Sequence, residues 1–401
     1  MSSRRSFLES LGAGSLGLAA MGGLQGSARG QQAPGADILG AEGVKTSARS
    51  TKVWQPVSDR KIRVGVIGYG VCQFGAAFGF QDHPNVTVAA VSDLFPDRCA
   101  GLAKACRCEK TYPSLEELVK DDTIEAVFIA TDAPSHARHA IEALKHGKHV
   151  ASAVPAVFGS IEEAHALFDA VKSSGLTYMM FETSAFHEDL HAMRQVYRAG
   201  ALGKLVYTEG EYYHHSVEQI PSYREWRVGL PPQWYPTHAS AYYVAVTGGS
   251  FTEVTCKAMP SVMEKFRPGG NKYDNPFGTE IGLFRTSEGG MARIGVSWDT
   301  FVPGSETGRV YGQRGFMTGM SYQGEEKQLP DLSRPALPPQ VASGGHGGSH
   351  GYLTDEFVTA ILEKRKPLVD VVSALNMTVA GVVAHQSALK DGESLKVPQF
   401  A

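Results

Sequence analysis

Histidines and aromatic residues crowd one part of this chain. Tyr212, Tyr213, His214 and His215 stand in one run, and Trp234, Tyr235 and His238 in another. Together they offer titratable nitrogens and flat apolar faces. A sugar needs both, since its C–H faces stack on rings while its hydroxyls need donors and acceptors. His238 is the candidate base, because an unperturbed imidazole titrates near 6.5 and proton transfer works best near ambient pH. Tyr235 is the second catalytic candidate, and Tyr212, His215, Arg227 and Thr237 are candidates for holding substrate. A different chemistry is written in the first half. Gly68-Tyr69-Gly70 is followed by Val71 and Cys72, and Asp93 lies 23 residues beyond Gly70. Glycines so placed permit a tight turn and a close approach of backbone to a pyrophosphate, which then sits on a helix N-terminus. An acid roughly 20 residues further on bonds the adenosine ribose. The same carboxylate would repel a 2′-phosphate, so the pattern predicts NAD rather than NADP. Gln73 stands where the third glycine of the fingerprint belongs, but Gly75, Ala76, Ala77 and Gly79 still allow close helix–sheet packing.

The elements that must position these residues follow from periodicity. Residues 62–67 and 86–92 are apolar, β-branched runs that read as buried parallel strands. Residues 125–130, 148–154 and 176–181 read as further strands, and 115–120, 137–146 and 161–174 as helices. That alternation predicts a doubly wound parallel sheet, with ligands at the carboxyl ends of the strands. Thr131, His136, Ala153, Val154 and Glu182 are therefore expected to border the cofactor crevice with Gly68, Gly70, Val71, Cys72 and Asp93. Residues 205–213, 251–259, 279–285 and 291–296 alternate and read as strands of an open, mainly antiparallel sheet, while 239–246, 352–364 and 371–390 read as helices. The fold class is α/β: an N-terminal Rossmann domain, then an α+β domain.

Ser3-Arg4-Arg5-Ser6-Phe7-Leu8, a weakly apolar run and the small residues near Ala28 have the order of a twin-arginine signal. The expected organisation is a signal at 1–30, a linker or arm at 31–60, the NAD domain at 61–182, and a substrate and oligomerisation domain at 183–401. Its C-terminal helices would pack back on the NAD domain. This predicts use of the twin-arginine export machinery and a periplasmic or secreted location, with no membrane attachment after processing. A net charge of −3 with no basic run argues against nucleic acid. Five cysteines, two of them in a Cys-x-Cys pair, fit neither a disulfide framework nor a zinc site. His346 and His350 are separated by Gly-Gly-Ser, which suits a close-approach loop rather than a helical metal pair, and no metal is expected.

Gly68-x-Gly70, Val91-Ser92-Asp93, Ile129-Ala130-Thr131 through His136, and Gly147-Lys148-His149-Val150 together resemble the Gfo/Idh/MocA family. Met179-Met180-Phe181-Glu182, Glu209-Gly210-Glu211-Tyr212, Tyr235-Pro236-Thr237-His238 and Gly344-Gly345-His346-Gly347-Gly348 resemble its NAD-dependent glycosidase branch, glycoside hydrolase family 109. The resemblance implies bound NAD, a carbohydrate substrate and a homo-oligomer. It also marks departures: Ala153-Val154-Pro155 stands where family dehydrogenases carry Glu-Lys-Pro, and that lysine assists their hydride transfer. Three functions stay open: a redox-neutral glycosidase, a sugar dehydrogenase or sugar–sugar oxidoreductase, and a non-catalytic binding protein.

Overall fold

The computed structural model describes residues 53–70, 72–215, 220–302 and 306–401. Val71, the whole proposed signal and most of the proposed linker lie outside them.

The first half opens with β1 (Ile62–Ile67), α1 (Phe74–Ala77), β2 (Val86–Ser92), α2 (Pro96–Cys106), β3 (Thr111–Tyr112) and α3 (Leu115–Leu118). It continues through β4 (Ala126–Ile129), α4 (His136–Lys145), β5 (His149–Ser152), α5 (Ile161–Ser174) and β6 (Tyr178–Met180). Among the described residues six strands pair in the order β3-β2-β1-β4-β5-β6, all parallel. Strand order therefore reverses beside β1, which places the ligand crevice at its carboxyl end. All four residues of β4 are buried, as a strand covered on both faces requires. The turn after β1 depends on Gly68. Its φ is +90°, and a Cβ there would meet the Ala130 carbonyl oxygen at 2.4 Å. Close packing of α1 on this turn falls to Gly75, where a Cβ would stand 2.3 Å from the Gly68 oxygen. The third small residue of the fingerprint thus exists two positions late, after Gln73 turns through a positive φ of 55°.

The second half contains α6 (Glu188–Arg198), β7 (Leu205–Tyr213), α7 (Thr237–Thr247), β8 (Phe251–Pro260), β9 (Phe277–Thr286), β10 (Met291–Ser297), β11 (Glu306–Gly312), β12 (Gly315–Thr318) and β13 (Ser321–Gly324). The helices α8 (His350–Glu363) and α9 (Val371–Leu389) and the short β14 (Leu395–Lys396) complete it. Among the described residues these strands form one sheet, β13-β12-β11-β7-β10-β9-β8-β14, antiparallel except between β7 and β10. On β9 buried and open positions alternate, so one face of that strand looks inward. Both α7 and α9 are apolar nearly all round, and every residue of α7 is buried. Such helices belong to a core.

The C-terminal helices return to the first half. Thr354 Oγ1 donates to the Phe78 carbonyl at 2.7 Å, and His350 Nδ1 lies 3.1 Å from that of Ala77. Phe357 on α8 meets the stacked rings of Phe80 and Phe181. The arm is anchored there too, where the Trp54 indole donates to Asp355 at 3.1 Å. All five cysteines are free. Among the described residues no helix is long and apolar enough to cross a membrane.

Candidate active site

A crevice of about 860 Å³ lies against the β1–α1 turn. Gly68, Gly70, Cys72, Asp93 and Thr131 line it. Nothing stands within 4 Å of where a Cβ on Gly70 would be, so the backbone there is open to a ligand. Asp93 is locked in place: Oδ2 accepts from the Tyr69 amide at 2.8 Å and Oδ1 from the Phe95 amide at 2.9 Å. Carboxylate oxygens each have a second lone pair, which leaves acceptors for ribose hydroxyls. Arg98, Arg138, Arg224, Arg227 and Lys272 add positive charge suited to a diphosphate. The volume, the open backbone and the fixed acid fit a dinucleotide.

Four of the predicted crevice residues, His136, Ala153, Val154 and Glu182, do not line it. His136 is buried, with Nδ1 2.9 Å from the Pro155 carbonyl and Nε2 3.2 Å from that of Thr131. Its ring ties two strand-end loops together instead of facing a ligand. Burial pushes its pKa down, and the neutral ring donates to only one of the two carbonyls at a time. Thr131 Oγ1 pairs instead with His139, which also lines the crevice and which the sequence reading overlooked. Glu182 is wholly buried and faces His238, away from solvent. Ala153 and Val154 lie just past β5 and are half-buried; the strand itself ends at Ser152, two residues early.

His238 sits in the first turn of α7. That helix can approach β7 closely because Gly210 has no side chain: a Cβ there would strike the Ala239 carbonyl at 1.9 Å. The close approach sets the His238 ring 4.6 Å from that of Tyr212 on β7, and 5.7 Å from Tyr235. Tyr235 stacks between Tyr212 and Trp226, and the Arg227 guanidinium lies 4.2 Å over Trp226. Tyr212 and Arg227 also line a small adjoining hollow with His214 and Trp298. Arg227 belongs to both this hollow and the large crevice. The segment before Tyr235 is clamped from behind. Gln233 donates its amide to Glu280 at 2.6 Å, and Glu280 in turn holds His385 at 2.6 Å.

The electrostatics of His238 were not legible in its motif. Its Nδ1 donates to Glu182 Oε1 at 2.7 Å, lies 3.4 Å from Thr183 Oγ1, and is 4.0 Å from Glu306 Oε2. Burial opposes a charge on the ring, but Glu182 and then Glu306 outweigh it and hold the pKa up at about 9. The ring is thus an imidazolium at neutral pH, so the expected resting base starts with its proton on. Burial likewise works against charge on Glu306. His238 and His187 prevail, keeping its carboxyl below the usual range. Burial raises the phenols of Tyr235 and Tyr212, so both stay protonated.

Two predicted substrate residues are not brought into this group. His215 is exposed and packs edge-on against Phe301. Thr237 is fully buried beneath the helix start. His346 and His350 meet through a loop and not as a helical pair: His346, Gly347 and Gly348 all take positive φ. His346 Nδ1 lies 2.9 Å from His350 Nε2, and among the described residues no group of three or more ligand side chains is arranged for a metal. Glu306 and His187, which complete the surroundings of His238, carried no local signal. Glu306 is 68 residues away in sequence and comes from another strand.

Residues 62–182 match the oxidoreductase family GFO_IDH_MocA, NAD-binding Rossmann fold. The chain carries a Gfo/Idh/MocA-family NAD-binding domain. This chain is similar to "Glycosyl hydrolase family 109 protein 1" of Bacteroides fragilis, 31% identical over 177 residues that cover 42% of this chain and 38% of that one. That match thus spans well under half of the relative. A "Glycosyl hydrolase family 109 protein" of Solibacter usitatus is 24% identical over 409 residues, covering 89% of this chain and 93% of the relative. Among solved structures, a levoglucosan dehydrogenase in complex with NADH and levoglucosan superposes with a TM-score of 0.69 at 18% identity, over 85% of this chain and all of that one. An NAD binding oxidoreductase from Klebsiella pneumoniae superposes with the same score. These likenesses show that the second sheet, as well as the first, follows the fold of those structures.

Proposed function

We propose that this chain is a carbohydrate-processing enzyme that cleaves a glycosidic bond without net oxidation. The observation that carries this reading is His238: an imidazolium pinned through Nδ1, set among Tyr212, Tyr235 and Arg227 beside the dinucleotide crevice. The relatives named for glycosyl hydrolase family 109 support the substrate class. The chemistry that NAD supplies when bound is to hold a hydride and give it back.

On the sugar, a hydride leaves C3 and the resulting ketone acidifies the proton on C2. Loss of that proton expels the group on C1, water adds to the unsaturated sugar, and the hydride returns to C3. No opposed pair of carboxylates flanking the scissile bond is required. The rings of Tyr212, Tyr235 and Trp226 form an apolar wall for the sugar's C–H face. His238 donates a hydrogen bond from Nε2 to the C3 oxygen and so stabilises the negative charge that gathers there as the C2 proton is lost; the O3 proton released with the hydride passes to solvent, and the C2 proton passes by way of water to the departing C1 oxygen. Tyr235, kept a phenol by burial, donates a hydrogen bond and holds the oxygen in register. Glu182 fixes the imidazole orientation.

The Arg4-Arg5 sequence fits this cycle. An exported enzyme has no pool with which to reoxidise its cofactor, so hydride return keeps it turning over. The test is turnover of an active glycoside in D₂O without added nucleotide. Deuterium should appear at C2 of the released sugar. Hydrolysis with no deuterium at C2 refutes the elimination route, and accumulation of oxidised sugar with an added acceptor favours a dehydrogenase.

A further inference from the structure

We propose that Glu306 is a positioning residue whose carboxylate, with that of Glu182, keeps His238 in its charged form and turns its second ring nitrogen toward substrate. This rests on the reading that His238 acts on the sugar, and it adds a residue that no motif marks.

The argument starts from geometry. Glu306 opens β11 with its side chain 9% exposed. Its Oε2 accepts from Ser184 Oγ at 2.5 Å, lies 3.5 Å from His187 Nε2 and 4.0 Å from His238 Nδ1. Glu182, with no exposed surface, reaches the same Nδ1 at 2.7 Å. Two buried carboxylates converging on one nitrogen repel each other unless the ring beside them carries a positive charge. The Glu182 contact and the neighbouring Thr183 hydroxyl also fall on Nδ1. With Nδ1 surrounded in this way, Nε2 is the donor left for a ligand.

Other groups face the ring and do not cancel this. Arg227 opposes the charge. His214 and His346 are themselves pushed down, mainly by burial and secondarily by neighbouring cations, His238 among them. Tyr212 and Tyr235 are phenols. His187 lies on the far side of Glu306, where it shares the carboxylate. The cluster is therefore a net acceptor of positive charge, and His238 is the member closest to both carboxylates.

The test is a histidine ¹⁵N NMR titration of the NAD-loaded protein without substrate. In the wild type the His238 ring should be charged at pH 7.5. In Glu306→Gln its midpoint should fall by at least about one pH unit, as expected for loss of an opposite charge within 4–6 Å. Glu306→Asp, which draws the charge back by one methylene, should give an intermediate fall and serves where the Gln variant does not fold. A wild-type ring neutral at pH 7.5 overturns the proposal, as does a midpoint unmoved in either variant. The alkaline limb of turnover should move with the NMR midpoint. A protein that titrates as described but cleaves no glycoside refutes the proposed activity and leaves the role of Glu306 intact.

Discussion

The two walls of this site are made of different material. The crevice beneath β1 is built from backbone: a glycine turn, amides that fix Asp93, and open space over Gly70. The wall around His238 is built from side chains that are expensive to bury: Glu182, Glu306, His187 and His238 itself. A backbone site tolerates variation in its side chains but not in its glycines. A site of buried charges behaves the opposite way, because each group is stable only while its partners remain. The first wall holds its ligand through backbone; the second depends on every one of its charged partners staying in place.

Three perturbations probe this contrast, from the largest effect down. His238→Ala should cut turnover by roughly 10²- to 10⁴-fold, the usual range for a positioned acid–base group, while bound NAD stays at wild-type stoichiometry. Near-normal activity would make His238 structural, and lost nucleotide would mean the walls are not separable. Gly68→Ala should do the reverse. A Cβ driven into the Ala130 carbonyl at a φ of +90° should cost about 2–4 kcal/mol of stability and empty the crevice of NAD. Denaturant titration and nucleotide release after unfolding measure both parts, and a variant that keeps NAD with unchanged stability would refute the backbone account.

The smallest effect is a pH dependence of stability. The folded pKa of His238, about 9, lies above its ordinary 6.5, so the native state holds the extra proton between those values. The contribution is fully present below pH 6.5 and is lost as pH rises through 9. Chemical denaturation at pH 6.5 and 9.5 should show the wild type losing more stability over this window than His238→Gln. Equal losses would mean that the ring is not charged.

The same contrast explains what was legible in the sequence. The β1 run, the paired glycines and the acid after β2 are local signals, and they lead to the crevice and to NAD. Even the displaced third glycine was within reach, because Gly75 lies only two positions beyond its usual place. The organisation of the second sheet was visible in its alternating strands, although β12, β13 and β14 are too short to announce themselves. The charge state of His238 was not visible. It depends on Glu182 and Glu306, which no spacing connects, and it inverts the resting role expected of an unperturbed imidazole. His136 and His215 mislead in complementary ways. One looks like a crevice residue and is spent on two carbonyls; the other looks like a sugar contact and points to solvent.

The aromatic cluster shared by the two halves bears on how the chain is made. Phe80, Phe128 and Phe181 belong to the first sheet and its loops, but their packing is finished by Phe357, 176 residues beyond the last of them. A nascent chain that has just emerged past residue 340 already contains every strand of the parallel sheet. It still lacks the helix that covers those rings, and Met180 has not yet given its amide to the Val369 carbonyl. The NAD domain therefore matures late in synthesis rather than as an early, independent unit. Until α8 and α9 leave the ribosome, the stretch of sequence easiest to recognise is also the part most in need of protection from aggregation.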